Sequence, residues 1–191
     1  MNEPYVGAGE GGESVEPMQT EIRKDGLTVI AENAAQTREL GRVIGATVRP
    51  GQCIALDGDL GVGKTELVRG MALGAGVADP SLVSSPTYVL LNIYAAGAGP
   101  EAKTVYHLDA YRITDPSGFD AVGWDELIGE GGIVVVEWAQ RVAALFPTDT
   151  LYILGKTLNT DTRSWALSEA GESSHRLLEV LARKLENRSP R

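Results

Sequence analysis

Residues 58–65 read GDLGVGKT and constrain this chain more than any other stretch, because they fit G-x-x-x-x-G-K-[ST] between the apolar CIAL and the helix-forming ELVRGMAL. A strand, a tight glycine loop and a helix must follow one another, the context in which this motif cradles a phosphate. Gly58, Gly61 and Gly63 allow positive φ and close backbone approach. Successive N–H groups of the loop, which also holds Asp59, Leu60 and Val62, can then turn inward around phosphate oxygens. Lys64 adds a mobile positive charge. Thr65 opens the helix, whose free N–H groups and positive dipole end favour an anion, and its hydroxyl is placed to coordinate Mg²⁺. Glu66 follows in the first helical turn, beside the phosphate position. A glycine turn that binds nothing is the alternative, and the intact motif in this setting argues against it.

The 191 residues suit one domain with a real core. No stretch is apolar over the roughly 18 residues that a membrane-spanning helix needs, and no basic-then-apolar leader opens the chain. Neither a membrane span nor a signal peptide is expected, and a cytoplasmic location is the default. The single cysteine, Cys53, lies in the apolar run before the loop and reads as a small buried hydrophobe. The formal charge is −9, but residues 1–21 hold five acids and no Lys or Arg, which leaves −4 on the remainder. A broad basic surface that would bind nucleic acid directly is therefore not expected. Residues 1–21, rich in Gly, Glu and Pro, are expected to form a disordered acidic tail, and residues 22–191 a single domain.

Along that domain, LTVIAE alternates like a short strand, and Asn33 with Gln36 three residues on resembles a capping pair opening a helix to about Thr47. Pro50-Gly51 ends it. CIALD is the strand feeding the loop, residues 65–75 form the helix behind it, and Asp79-Pro80 marks the exit. TYVLLNIYA and KTVYHLDAYRI are expected to pair antiparallel across AGAGPEA. The acidic DPSGFDAVGWDELIGEGG reads as helix or loop, whereas GIVVVEW suits a strand buried on both faces. TLYILGK and SWALSEA read as a hairpin or meander. Leu177, Leu178, Leu181 and Leu185 mark one face of a closing helix over residues 173–186.

A phosphate loop that holds a nucleoside triphosphate usually needs an acid at the end of a neighbouring strand for Mg²⁺ and its waters. Glu137, after IVVV, is the best placed, with an ordinary strand-end glutamate as the alternative. Asp109 also ends an apolar strand pattern and could hold a metal-bound water or orient the attacking one; otherwise it caps the next turn. His107 reads as a locally satisfied strand histidine rather than a proton carrier. Arg112, Arg141 and Arg163 are candidate phosphate contacts without a signal that selects among them. SSPTY, residues 84–88, offers hydroxyls and a rigid bend that could order around a γ-phosphate or form a plain β-turn. No N-K-x-D segment for guanine exists, so ATP is the expected nucleotide.

Taken in order, QTRELGRVIG, GDLGVGKTELVRG, SSPTYVLLNIY, VYHLDAYRI and IVVVEW resemble the bacterial TsaE family over residues 36–138, and four of the five segments are distinctive beyond the phosphate loop. The resemblance implies a small P-loop ATPase serving the formation of threonylcarbamoyladenosine beside the tRNA anticodon. It implies TsaD, which carries out the carbamoyl transfer, and TsaB as partners, ATP and Mg²⁺ as cofactors, and tRNA contact only indirectly, through the complex. By the same resemblance Lys64 and Thr65 bind the phosphates and Mg²⁺, Glu137 is a magnesium ligand, Asp109 belongs to the catalytic site, and Thr37 lies near the nucleotide. Glu66 departs from the Thr or Ser common in the family at that position.

The expected fold is α/β, a P-loop NTPase fold with a mostly parallel central sheet, an antiparallel portion and helices on both faces. The expected activity is Mg²⁺-dependent ATP hydrolysis. A small-molecule kinase using the same loop is the rival, but the only segment that could act as its lid, residues 115–132, is acidic and lacks Arg and Lys.

Overall fold

The computed structural model describes residues 16–23, 26–97, 103–115, 119, 122–169 and 171–186. Its strands are β1 (Gln19–Arg23), β2 (Gly26–Ala31), β3 (Cys53–Gly58), β4 (Leu91–Ala96), β5 (Lys103–Asp109), β6 (Ile133–Glu137), β7 (Thr150–Thr157) and β8 (Arg163–Glu169). The helices are α1 (Ala34–Thr47), α2 (Lys64–Ala75), α3 (Trp124–Gly129) and α4 (Glu172–Glu186), with 3₁₀ turns at Pro80–Leu82 and Ala139–Leu145.

The strands form one eight-stranded sheet in the order β1-β2-β8-β7-β3-β6-β5-β4. Only the three ladders β7-β3, β3-β6 and β6-β5 are parallel; the other four are antiparallel. This corrects the expectation of a mostly parallel sheet. The reason lies in the connections: a parallel neighbour needs a long crossover, whereas a short turn forces strands antiparallel. The turn from β7 into β8, closed by Leu158 N–H donating to Thr162 O at 3.0 Å, is of the second kind.

Alternation along the strands sorts side chains into two cores. Ile54 and Leu56 of β3 and Ile133 and Val135 of β6 pack on the side of α1, α2 and α4, with Leu40, Leu67 and Leu181. Cys53, Val134 and Val136 point the other way, against Phe119, Trp124 and Val142. The expected burial of IVVVE on both faces holds for all of β6.

Asn33 caps α1 as expected: its Oδ1 accepts from Gln36 N–H at 2.9 Å, and Gln36 Oε1 accepts in return from Glu32 N–H at 2.6 Å. The strand expected from TYVLLNIYA begins only at Leu91, because residues 87–89 form a turn. Part of the segment expected as a tail is ordered. Residues 19–21 belong to β1, which pairs with β2 antiparallel, and Met18 is buried. Thr20 and Ile22 are β-branched, and β2 offers them an otherwise unpaired edge, which outweighs the polar composition around them. The rest of the expected tail, residues 1–15, lies outside the described residues, as do residues 116–118, 120 and 121 of the acidic segment.

Helices α1 and α2 meet backbone to backbone. A Cβ on Gly41, Gly45, Gly70 or Gly74 would fall 1.9–2.1 Å from a carbonyl oxygen of the opposite helix. This contact fixes the helix behind the phosphate loop against α1, and so places Thr37 beside that loop.

Candidate functional site

The loop owes its shape to three glycines at positive φ, with Gly61 at 79° between the other two. Gly58, at φ 137°, ends β3 where a Cβ would lie 2.5 Å from Gly155 O of β7, and Gly63, at φ 105°, is the N-cap of α2. The first intrahelical bond runs from Leu67 N–H to Gly63 O at 3.0 Å, so the N–H groups of Lys64, Thr65 and Glu66 precede the helical ladder. Free N–H groups at a helix start favour an anion, which is the arrangement the motif requires. Leu60, at the loop's tip, is 83% exposed, whereas Val62 is fully buried.

The wall behind the loop comes from β8 and α1. Trp165 Cζ2 and Thr37 Cγ2 lie 3.8 and 3.9 Å from where a Cβ on Gly63 would stand. Arg163 Nε donates to Val62 O at 3.1 Å, and its Nη1 donates to the carbonyls of Asn159, Thr160 and Thr162. Arg163 therefore braces the loop from behind. Trp165 carries no polar signal in the sequence, and its place behind the loop appears only once β8 is set beside β7.

Lys64 is buried, and its Nζ donates to Gly58 O at 2.7 Å and Asp59 O at 3.0 Å while lying 3.8 Å from the centroid of the Trp138 ring. Burial lowers the ammonium from its ordinary value, and the carboxylates of Glu137, Asp109, Asp57 and Asp59 oppose that shift. The acids offset only part of the cost of burying this charge. Asp57, which the sequence reading passes over, accepts from Gln140 N–H at 3.1 Å and ties the end of β3 to the 3₁₀ segment after β6. Burial pushes its carboxyl upward despite that bond. Its position directly before the loop was the available signal.

Thr65 Oγ1 donates to Glu137 Oε1 at 3.0 Å, across 72 residues of sequence. The same oxygen faces His107 Nε2 at 2.9 Å, with both side chains buried. Asp109 stands opposite Glu137 in the β5–β6 ladder, but its neighbours differ. Its Oδ2 accepts from Ser85 Oγ at 3.0 Å and from Thr87 Oγ1, and its Oδ1 accepts from Tyr111 N–H at 2.8 Å. Asp109 is thus a turn cap, and it also anchors SSPTY.

The Glu66 carboxylate is taken up by the guanidinium groups of Arg38 and Arg69. With its side chain committed to those two groups, Glu66 has only its backbone N–H left for the loop. Arg112 stacks on Tyr88 and Arg141 lies over Tyr111, at 4.4 and 5.4 Å from the ring centroids. Among the described residues no group of three or more His, Cys, Asp or Glu forms a metal cage. The meeting of the Thr65 hydroxyl with the Glu137 carboxylate nevertheless supplies hard oxygen donors of the type Mg²⁺ takes one or two at a time beside phosphates. The residues present fit that ion.

Among the described residues no helix is long and apolar enough to cross a membrane. The sequence model for the family described as "Threonylcarbamoyl adenosine biosynthesis protein TsaE" matches residues 31–165. The "tRNA threonylcarbamoyladenosine biosynthesis protein TsaE" of Bacillus subtilis (strain 168) is 33% identical over 151 residues, 79% of this chain and 90% of that protein. The protein of the same name from Treponema pallidum (strain Nichols) is 34% identical over 137 residues, 72% of this chain and 96% of its own length. Among solved structures, the crystal structure of Bacillus subtilis YdiB superposes with a TM-score of 0.69 at 26% identity, covering 89% of this chain and 99% of that one. With the phosphate loop, the paired acids and the mixed sheet in place, these matches establish that the chain belongs to the TsaE family of tRNA threonylcarbamoyladenosine biosynthesis proteins.

Proposed function

We propose that this protein hydrolyses ATP in the presence of Mg²⁺ and does so for the assembly that forms threonylcarbamoyladenosine, with TsaD and TsaB as its protein partners and tRNA contacted only through them. The observation that carries the reading is the 3.0 Å contact between Thr65 Oγ1 and Glu137 Oε1, directly beside the free N–H groups that open α2. A hydroxyl, a carboxylate and a helix terminus converge where the loop motif puts phosphates.

In this reading the N–H groups of residues 58–66 and the Lys64 ammonium hold the β- and γ-phosphates, and Thr37 closes the wall behind them. Thr65 and Glu137 would hold Mg²⁺, and Asp109 would hold a single water, either one bound to that ion or the attacking one. Bound Mg²⁺ supplies charge stabilisation to the phosphoryl oxygens. Both hydrogen bonds to Glu137 fall on Oε1, so in this reading Oε2 is the oxygen that would serve the metal. Asp109 uses three of its roughly four lone-pair positions on Ser85, Thr87 and Tyr111, so one on Oδ1 is left to accept from the attacking water. Orienting that water requires the segment around residues 84–88 to hold Asp109 still. A partner that orders the segment would raise the rate by fixing geometry.

Phosphate release from ATP, measured with and without Mg²⁺ and with and without TsaD plus TsaB, tests the proposal. Slow Mg²⁺-dependent release that rises when both partners are added is the expected result. Fast transfer to a small hydroxylated acceptor, with no stimulation by TsaD and TsaB, would replace it with the kinase reading.

A further inference from the structure

Resting on the reading of Glu137 as a magnesium residue, we infer that His107 is its positioning residue: the imidazole fixes which carboxylate oxygen faces the nucleotide. His107 lies on β5, opposite Asn92 of β4 and Val135 of β6 in their ladders, and is fully buried. Its Nε2 stands 2.9 Å from Glu137 Oε1, the oxygen that already accepts from Thr65 Oγ1. An ionised carboxylate only accepts, so the hydrogen of this contact sits on Nε2. His107 Nδ1 has no hydrogen-bond partner among the described residues, so nothing competes for the other tautomer.

A leucine would fill the same buried position between β4 and β6 without leaving a polar atom unsatisfied. The imidazole is instead spent on one oxygen of one carboxylate. Two donors, one from α2 and one from β5, pin Oε1 from separate elements, and rotation of the carboxylate that would exchange Oε1 for Oε2 breaks both bonds. Partners of this kind orient metal-binding groups, and their loss typically weakens metal affinity about 10- to 100-fold. His107 touches neither nucleotide nor metal in this account and acts only through Glu137.

The test compares wild type, His107→Asn and His107→Gln as full chains, titrating Mg²⁺ against binding of a non-hydrolysable ATP analogue. The glutamine amide reaches the place of imidazole Nε2, whereas the asparagine amide reaches only that of Nδ1. Analogue affinity in EDTA should be the same for all three. Half-saturating Mg²⁺ should rise about tenfold or more in His107→Asn and return to within about threefold of wild type in His107→Gln. Equal Mg²⁺ requirements for wild type and His107→Asn would overturn the inference, and so would equal impairment of the two variants. If wild-type binding ignores Mg²⁺, the metal reading of Glu137 fails instead. A second measurement needs no variant: long-range ¹H–¹⁵N correlation on wild type should place the His107 ring hydrogen on Nε2, and a hydrogen on Nδ1 alone sinks the inference.

Discussion

The two acids that end β5 and β6 stand side by side in one ladder, yet they belong to different kinds of structure. Glu137 closes the phosphate-loop region, where Val62 is fully buried, Thr37 is 2% exposed, and Arg163 and Trp165 brace the loop from behind. Asp109 anchors residues 84–91, where Tyr88 is 86% and Val89 65% exposed and Leu90 has a positive φ of 69°. That segment is held by Ser85 and Thr87 on Asp109, by the bonds of Ser84 to Asn92 and Tyr94, and by Leu90, which accepts from Asp109 N–H and packs on the smaller core. One half of the site is built by the core, and the other leans on a few hydroxyl groups and turn bonds at an exposed surface. On the proposed function, a protein so divided would keep its phosphate grip constant while the alignment of its water stays open to adjustment from outside.

The largest effect should come from the fixed half. Lys64→Ala removes the charge that the loop holds in place, and ATP hydrolysis should fall by about 10²-fold or more, as for other single groups that stabilise transition-state charge. The melting temperature should barely move, because Lys64 Nζ bonds only to loop carbonyls and the Trp138 face. Wild-type hydrolysis in this variant would remove the phosphate-loop assignment. Glu137→Gln comes next: hydrolysis should drop roughly 10- to 100-fold with a smaller loss of ATP binding, and the Mg²⁺ optimum should move upward. Identical Mg²⁺ titrations for this variant and wild type would mean that Glu137 is an ordinary strand end.

The settable half makes the contrasting prediction. Asp109→Ala should retain ATP binding and lose the increase in rate expected from TsaD plus TsaB, about tenfold or more if water alignment is what the partners supply. It should also free Ser85 and Thr87, so limited proteolysis ought to cut within residues 84–91 sooner than in wild type. Unchanged proteolysis would show that the segment does not depend on Asp109, and the division between the two halves would fail there.

Much of the fixed half was legible because short-range chemistry writes it. The loop motif, the Asn33 cap and the buried run of β6 each depend on neighbours a few residues away. The mixed sheet was harder. Nothing local in SWALSEA says that β8 lies between β7 and β2, and so Trp165 and Arg163 emerge as braces only after the strands pair. His107 and Glu137 are 30 residues apart, and their contact follows from a parallel ladder with no sequence signature. The β1 edge strand was hidden by its acidic surroundings. The glycine pairs Gly41–Gly45 and Gly70–Gly74 were visible as spacing, but their meaning depends on two helices crossing face to face.

That crossing yields a smaller, structural prediction for the fixed half. In Gly45→Ala the new methyl would sit 1.9 Å from Met71 O, so α1 and α2 must separate. Overpacking of this order costs about 1–3 kcal/mol, readable as a lower denaturation midpoint. Because α2 carries the loop, ATP affinity should fall with it, while the proteolysis of residues 84–91 stays as in wild type. A variant that loses stability but keeps full ATP affinity would show that the loop is positioned by β3 and β8 alone.

The smallest effect concerns Cys53, at the foot of the strand whose other end is the loop. The thiol is buried, and burial pushes its pKa from 9.0 up to about 12. Only the thiolate reacts, so at pH 8 to 9 the folded protein should label with a thiol reagent no faster than it unfolds. The sign of the linked stability change follows from the same shift. The folded state favours the protonated thiol, so this contribution is complete below pH 9.0 and is lost as the pH rises from there toward about 12. Labelling of wild type should therefore track global unfolding in denaturant, and ATP with Mg²⁺ should slow it by stabilising the folded state. Rapid labelling at pH 8 in native buffer would reveal local opening at the base of β3, and the loop region could no longer be treated as the fixed half of the site.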